Sequence, residues 1–121
     1  MEASGEPTLL LRVGGDCGSP WRRYELCDLA AAPGEPPVAA VEAGGPGPTV
    51  EVGAVVVAGP AAAGPRLLDE VADAVTATGA RRLVAAAEAG DAARQALLRR
   101  SGFRPAPGPP GDARRWFARD L

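Results

Sequence analysis

The side chains able to do chemistry are few, and the types that are missing exclude more than the types present suggest. The chain of 121 residues carries no His and no Lys, so its 13 cationic side chains are all Arg, set against 15 carboxylates for a formal charge of -2. Without His there is no Ser-His-Asp or Cys-His pair and no imidazole metal ligand. Without Lys there is no Walker A lysine and no Schiff base. Cys17 and Cys27 belong to no CxxC pattern. They read as two free thiols in a reducing compartment rather than a disulfide or a metal site. The Arg residues are scattered and form no basic stripe for nucleic acid.

The elements that must position any site follow from the hydrophobic pattern. A chain this long has room for one domain (1–121) and buries roughly two-thirds of its unfolded surface. Thr8 to Val13 fits a first strand, and Asp16 to Pro20 reads as loop. Arg23 to Leu29 alternates with period two, placing Tyr24 and Leu26 on one face and Glu25 and Cys27 on the other. Val38 to Glu42 is a third strand between Gly/Pro turns, and Val50 to Val57 has the β-branched density of a buried fourth. The first three of these short strands, joined by Gly/Pro turns, predict an antiparallel meander over 1–49.

The period changes after Gly64. Pro65 suits a first helical position, and Leu67, Leu68, Val71, Ala72 and Val75 make one apolar face. Asp69, Glu70 and Asp73 would lie in the first turns, where the helix dipole favours carboxylates, and Gly79 ends the helix. Leu83 to Ala87 fits a fifth strand. Asp91 can N-cap a second helix with Ala93, Ala96 and Leu97 on one side, and Gly102 supplies its left-handed stop. Phe103 begins another strand, Pro105 to Gly111 is a loop, and Arg115 to Ala118 is the last strand. The predicted order β-β-β-β-α-β-α-β-β is an α/β domain on a mixed sheet.

From Val50 to Phe103 this order and wording resemble the acetyl-CoA-binding core of the GNAT N-acetyltransferases. Val55-Val56-Val57-Ala58 leads into a Gly/Ala-rich turn, Gly59 to Gly64. A Leu-Leu helix follows, and Asp91 through Gly102-Phe103 looks like the family's Asn-led helix ending in Gly-Phe. The closing run Arg115 to Leu121 is similar to the family's last strand. The resemblance implies a mixed, mostly antiparallel sheet of about six to seven strands with two main helices. The two helices that usually follow the first strand, and build the acceptor side of the cleft, are missing: only Gly14 to Arg22 intervenes. Trp21 and Tyr24 there read as packing residues rather than an acceptor pocket.

The resemblance also implies site residues. The family's pyrophosphate turn maps onto Ala62, Ala63 and Gly64, with Gly59 at its leading Gln/Arg position and Arg66 as an added cation. Val56, Val57 and Ala58 would bind the cofactor, with the thioester held along the splayed fourth strand. Glu51 is the available carboxylate base, or a solvent-facing Glu. The Tyr that returns a proton to the thiolate is replaced by Leu98, and the leading Asn by Asp91. The implied activity is acetyl transfer from acetyl-CoA to an unknown amine, of small-molecule or protein origin. The alternative is a catalytically inactive GNAT-like domain that binds acyl-CoA or a protein. A homodimer or partner covering the exposed sheet is expected, with no nucleic acid and no membrane. The first six residues lack a signal-peptide pattern, so a cytoplasmic location is the expectation.

Overall fold

The computed structural model describes residues 8–15, 18–45 and 47–121, so Cys17, Asp16, Pro46 and the first seven residues lie outside the described set. The observed order is β1 (Leu9–Gly14), β2 (Trp21–Asp28), β3 (Ala39–Gly44), β4 (Thr49–Val57), α1 (Ala63–Thr76), β5 (Arg82–Ala87), α2 (Ala92–Arg100), β6 (Arg104–Ala106) and β7 (Arg115–Asp120). It is the order read from the sequence. The seven strands form one sheet in the order β1-β2-β3-β4-β5-β7-β6. Every neighbouring pair is antiparallel except β4 with β5.

Period-two alternation puts Tyr24 and Leu26 of β2 in the core and leaves Glu25 and Cys27 half-buried on the opposite face. Val41, Val52, Leu83, Ala85 and Phe117 continue the buried face across the sheet. Both helices cover that face. The stripe Leu67, Leu68, Val71, Ala72 and Val75 of α1 is buried as its spacing predicts. Each such large apolar side chain contributes about 1.5–3 kcal/mol by leaving water. In α2, Leu98 joins the same cluster and Arg99 lies over the Phe117 ring at 5.6 Å. Among the described residues no helix covers the other face of the sheet.

Several details depart from the sequence expectations. α1 starts at Ala63, so Pro65 is its third residue, where its missing N–H is still outside the helical bonding pattern. Asp69, Glu70 and Asp73 consequently fall beyond the first turn, which holds no acid. The expected apolar side of α2 is wrong: Ala93 and Ala96 are exposed, Leu97 is half-buried, and Leu98 is the buried residue. Phe103 packs in the core just before β6, and β6 extends through Pro105 to Ala106, where a loop was expected. The fourth strand is buried only in its first half. Val50 and Val52 face the core, whereas Val56 is 64% exposed and Val57 is exposed as well.

Candidate functional site

The exposure of Val56 and Val57 has a topological cause. β4 and β5 pair in parallel only over Thr49–Glu51 with Arg82–Val84. Beyond that short ladder the strands separate, and β4 loses its neighbour on that side. On the other side the register with β3 slips: Val41 faces Val55, but Ala43 faces Val52. Three steps along β4 therefore match two along β3, a β-bulge at Gly53–Ala54 opposite Glu42. The bulge and the split coincide, and a cleft of about 240 Å³ opens there. Its lining includes Glu51, Gly53, Ala54, Glu88, Arg94 and Arg114.

A side chain that no motif in the sequence marks spans this cleft. Arg94, in the first turn of α2, donates from Nε to Ala86 O at 2.7 Å, and from its two terminal nitrogens to Gly53 O at 3.0 Å and Val52 O at 3.2 Å. The carbonyls that lose their ladder where the strands part are thus satisfied by one guanidinium spanning both strands. Burial lowers the Arg94 pKa, while the charges of Asp91 and Glu51 act in the opposite direction. Its only sequence signal is an Arg three residues after a helix N-cap, preceded by two Ala. Asp91 does cap the helix, accepting the Arg94 backbone N–H at 3.0 Å, and so sets the turn from which that side chain reaches the strands.

Glu51 is placed as its spacing requires, half-buried on the face opposite Val50 and Val52 and lining the cleft. Arg114, on the same lining, is held by Asp112 at 2.8 Å and lies over the Trp116 ring at 5.3 Å. That hydrogen bond raises the Arg114 pKa, with smaller contributions from the Glu51 and Glu88 charges, and it holds the Asp112 carboxyl well below the usual carboxylate range.

The proposed pyrophosphate turn lies at the other end of exposed β4, between Ala58 and α1. Its residues come together, but most of their N–H groups are already engaged. Ala58 and Gly59 both donate to Val38 O, at 2.9 and 3.0 Å. Ala63 donates to Pro60 O, Gly64 to Ala61 O and Arg66 to Ala62 O. Pro60 and Pro65 have no N–H to give. The turn retains the N–H groups of Ala61 and Ala62. Ala62 is exposed, as is Arg66, whereas Ala63 and Gly64 are buried. Gly64 serves packing, since a Cβ there would lie 2.9 Å from Leu97 Cδ1 and 3.3 Å from Val57 Cγ2. Leu98, at the position expected for a proton-returning Tyr, is sealed in the core at 0% exposure and does not face the cleft.

Upstream, Tyr24 is buried, and desolvation raises its phenolic pKa. Trp21 is half-buried at the wall of a second hollow with Arg12, Arg23, Glu25 and Glu42. Cys27 is a half-buried free thiol. Among the described residues no helix is long and apolar enough to cross a membrane.

A mostly antiparallel seven-stranded sheet, split at one parallel pair and bulged beside the split, with a helix on each side of β5 in sequence, defines a GNAT-fold protein. Solved structures agree. The chain is similar to a Bacillus subtilis acetyltransferase in complex with CoA at a TM-score of 0.71 and 13% identity, over 94% of this chain and 99% of that one. It is similar to the GNAT domain of S. lividans PAT at 0.67 and 16%, covering 84% of this chain and 61% of that one. It is also similar to an IAA acetyltransferase from Bacillus cereus at 0.65 and 17%, covering 84% and 79%. No protein-family model and no curated protein sequence matches the chain.

Proposed function

We propose that this chain transfers an acyl group, acetyl in the first instance, from a coenzyme A-type thioester to an amine. The observation that carries the reading is the β4–β5 split with Glu51 at its apex, beside the bulge at Gly53–Ala54. The thioester would supply the activated carbonyl. The exposed edge of β4 over Val56 and Val57, with Ala58 just after it, would hold the pantetheine arm in an extended path, so that positioning dominates catalysis. Glu51 would accept the amine proton, directly or through water, and Arg94 would hold the width of the cleft. The fold neighbours support the class, one of them a CoA complex whose whole length this chain spans. Beyond Glu51, β4 has no strand paired on its β5 side, which leaves an edge for the arm, whereas at the pyrophosphate most of the N–H groups are engaged.

A second reading, a GNAT-fold module that binds an acyl-CoA or a protein without catalysis, is favoured by Leu98, since no side chain at that position can return a proton to a leaving thiolate. Acetyl-CoA at millimolar concentration decides between them. Binding at a hundred times Kd stabilises the native state by about 2.7 kcal/mol, which a melting curve reads directly. A shift with thiol release over a panel of amines, lowered about a hundredfold or more in Glu51→Gln, supports the enzyme. A shift without release supports the module, and no shift removes both acyl-CoA readings.

A further inference from the structure

The two ends of the donor site are unequally equipped. At the thioester end the structure offers an open strand edge, a bulge and a lined cleft. At the nucleotide end the equipment is a helix mouth, and that mouth is largely self-satisfied. Across the eight positions from Gly59 to Arg66, two are Pro and four donate their N–H to carbonyls of their own chain: Gly59 to Val38, Ala63 to Pro60, Gly64 to Ala61 and Arg66 to Ala62. An N–H already pointing at a carbonyl must break that bond, or share it, to serve a phosphate oxygen, so its net gain from the anion is small. The buried Gly64 is filled against Leu97 and Val57 rather than left open for a phosphate to approach. Arg66 is exposed, where a single cation in high dielectric attracts an anion weakly.

We propose that the donor is recognised by its acyl group and pantetheine arm, and that the nucleotide and pyrophosphate of coenzyme A add little to binding. The substrate class is then any acyl-pantetheine thioester, whatever follows the far end of the arm. This rests on the acyl-transfer reading and narrows its donor. The arm makes backbone contacts of the kind a strand edge supplies, and those survive without the nucleotide. Discrimination among donors falls on the acyl end, against Arg94 and the bulge, because that is where the walls are built.

Isothermal titration of the full chain with three probes tests the proposal: acetyl-CoA, S-acetylpantetheine and ADP. The expected result is that acetyl-CoA and S-acetylpantetheine bind within about tenfold of one another and that ADP gives no binding heat. Acetyl-CoA binding more than about a hundredfold tighter than S-acetylpantetheine, or ADP binding by itself, overturns the proposal while leaving the acyl-transfer reading in place. If none of the three binds, the acyl-transfer reading falls and this inference falls with it.

Discussion

At the scale of single residues, the direction of the Glu51 side chain was legible in the sequence, whereas the reach of Arg94 was not. Glu51 sits between two valines whose burial fixes its direction, and alternation along a strand is a local property that needs no partner to be read. Arg94 acts on three carbonyls, two of them 41 and 42 residues away, and nothing in its neighbourhood signals strands that part. Its role gives a direct expectation. Arg94→Met keeps the stem but leaves the Val52, Gly53 and Ala86 carbonyls without that donor, at about 1–3 kcal/mol for each buried group left unpaired. Backbone amides of residues 52–57 and 85–88 should then exchange with solvent at least about tenfold faster by mass spectrometry, with α1 unchanged apart from any global loss. Equal acceleration everywhere would mean that Arg94 serves general stability and not the cleft. Glu25 offers a pH expectation. Hydrogen bonds from Arg23 at 2.8 Å and Arg12 at 2.6 Å hold its carboxyl below the ordinary value. A depressed folded pKa contributes stability that is complete above the unfolded value, near 4.3, and is lost as pH falls through the folded one. Acid titration monitored by circular dichroism should therefore show a steeper loss below about pH 4 for the native chain than for Glu25→Gln. Parallel curves would show that the pair is too well solvated to matter.

At the scale of elements, kind and order were legible because each segment carries its own period and its own punctuation. Gly79 and Gly102 end their helices with φ of 99° and 87°, conformations that the sequence marks by glycine alone. Burial was less legible where it depends on a neighbour in space. The run Val55-Val56-Val57 has the composition of a central strand, but composition does not say that the adjacent strand has turned away. The short α2 misled for another reason: Leu97 and Leu98 are adjacent, and nine residues give too few turns to decide which one faces inward. Glycine in β3 is a sharper case. A Cβ on Gly44 would collide with the Pro20 carbonyl and come within 2.6 Å of the Trp21 Cα, both backbone atoms that can move only with β2. Gly14 in β1 has nothing within 4 Å of the same position. Gly44→Ala should cost at least about 2 kcal/mol in chemical denaturation, and Gly14→Ala should stay within about 0.5 kcal/mol. Equal effects would show that β2 yields freely at its start.

At the scale of the whole molecule, the sheet is two antiparallel halves, β1–β4 and β5–β7, joined by one short parallel ladder. A join with so few backbone bonds must rely on side chains, and the core is continuous across it. Val50 and Leu83 at the ladder, Val52 just beyond it, the α1 stripe and Leu98 of α2 belong to one cluster that reaches from Tyr24 to Phe117. The sequence could not reveal this, because which apolar residues meet across the join depends on how the two halves close. The two tryptophans allow a test, since Trp21 lies in β2 of the first half and Trp116 in β7 of the second. Both are only half-buried, so Trp21→Phe and Trp116→Phe should each fold and leave a single fluorophore reporting on one half. If the shared core couples the halves, the two variants should unfold in urea with midpoints coincident with the far-ultraviolet signal, as for one cooperative unit. Leu83→Ala, at a site with 0% exposure beside the join, should lower both midpoints together by a loss of about 2–5 kcal/mol. A midpoint that moves for Trp116 while Trp21 holds would show that the halves unfold separately. The cleft at their split would then open by parting of the halves rather than by movement of Arg94 within one rigid frame.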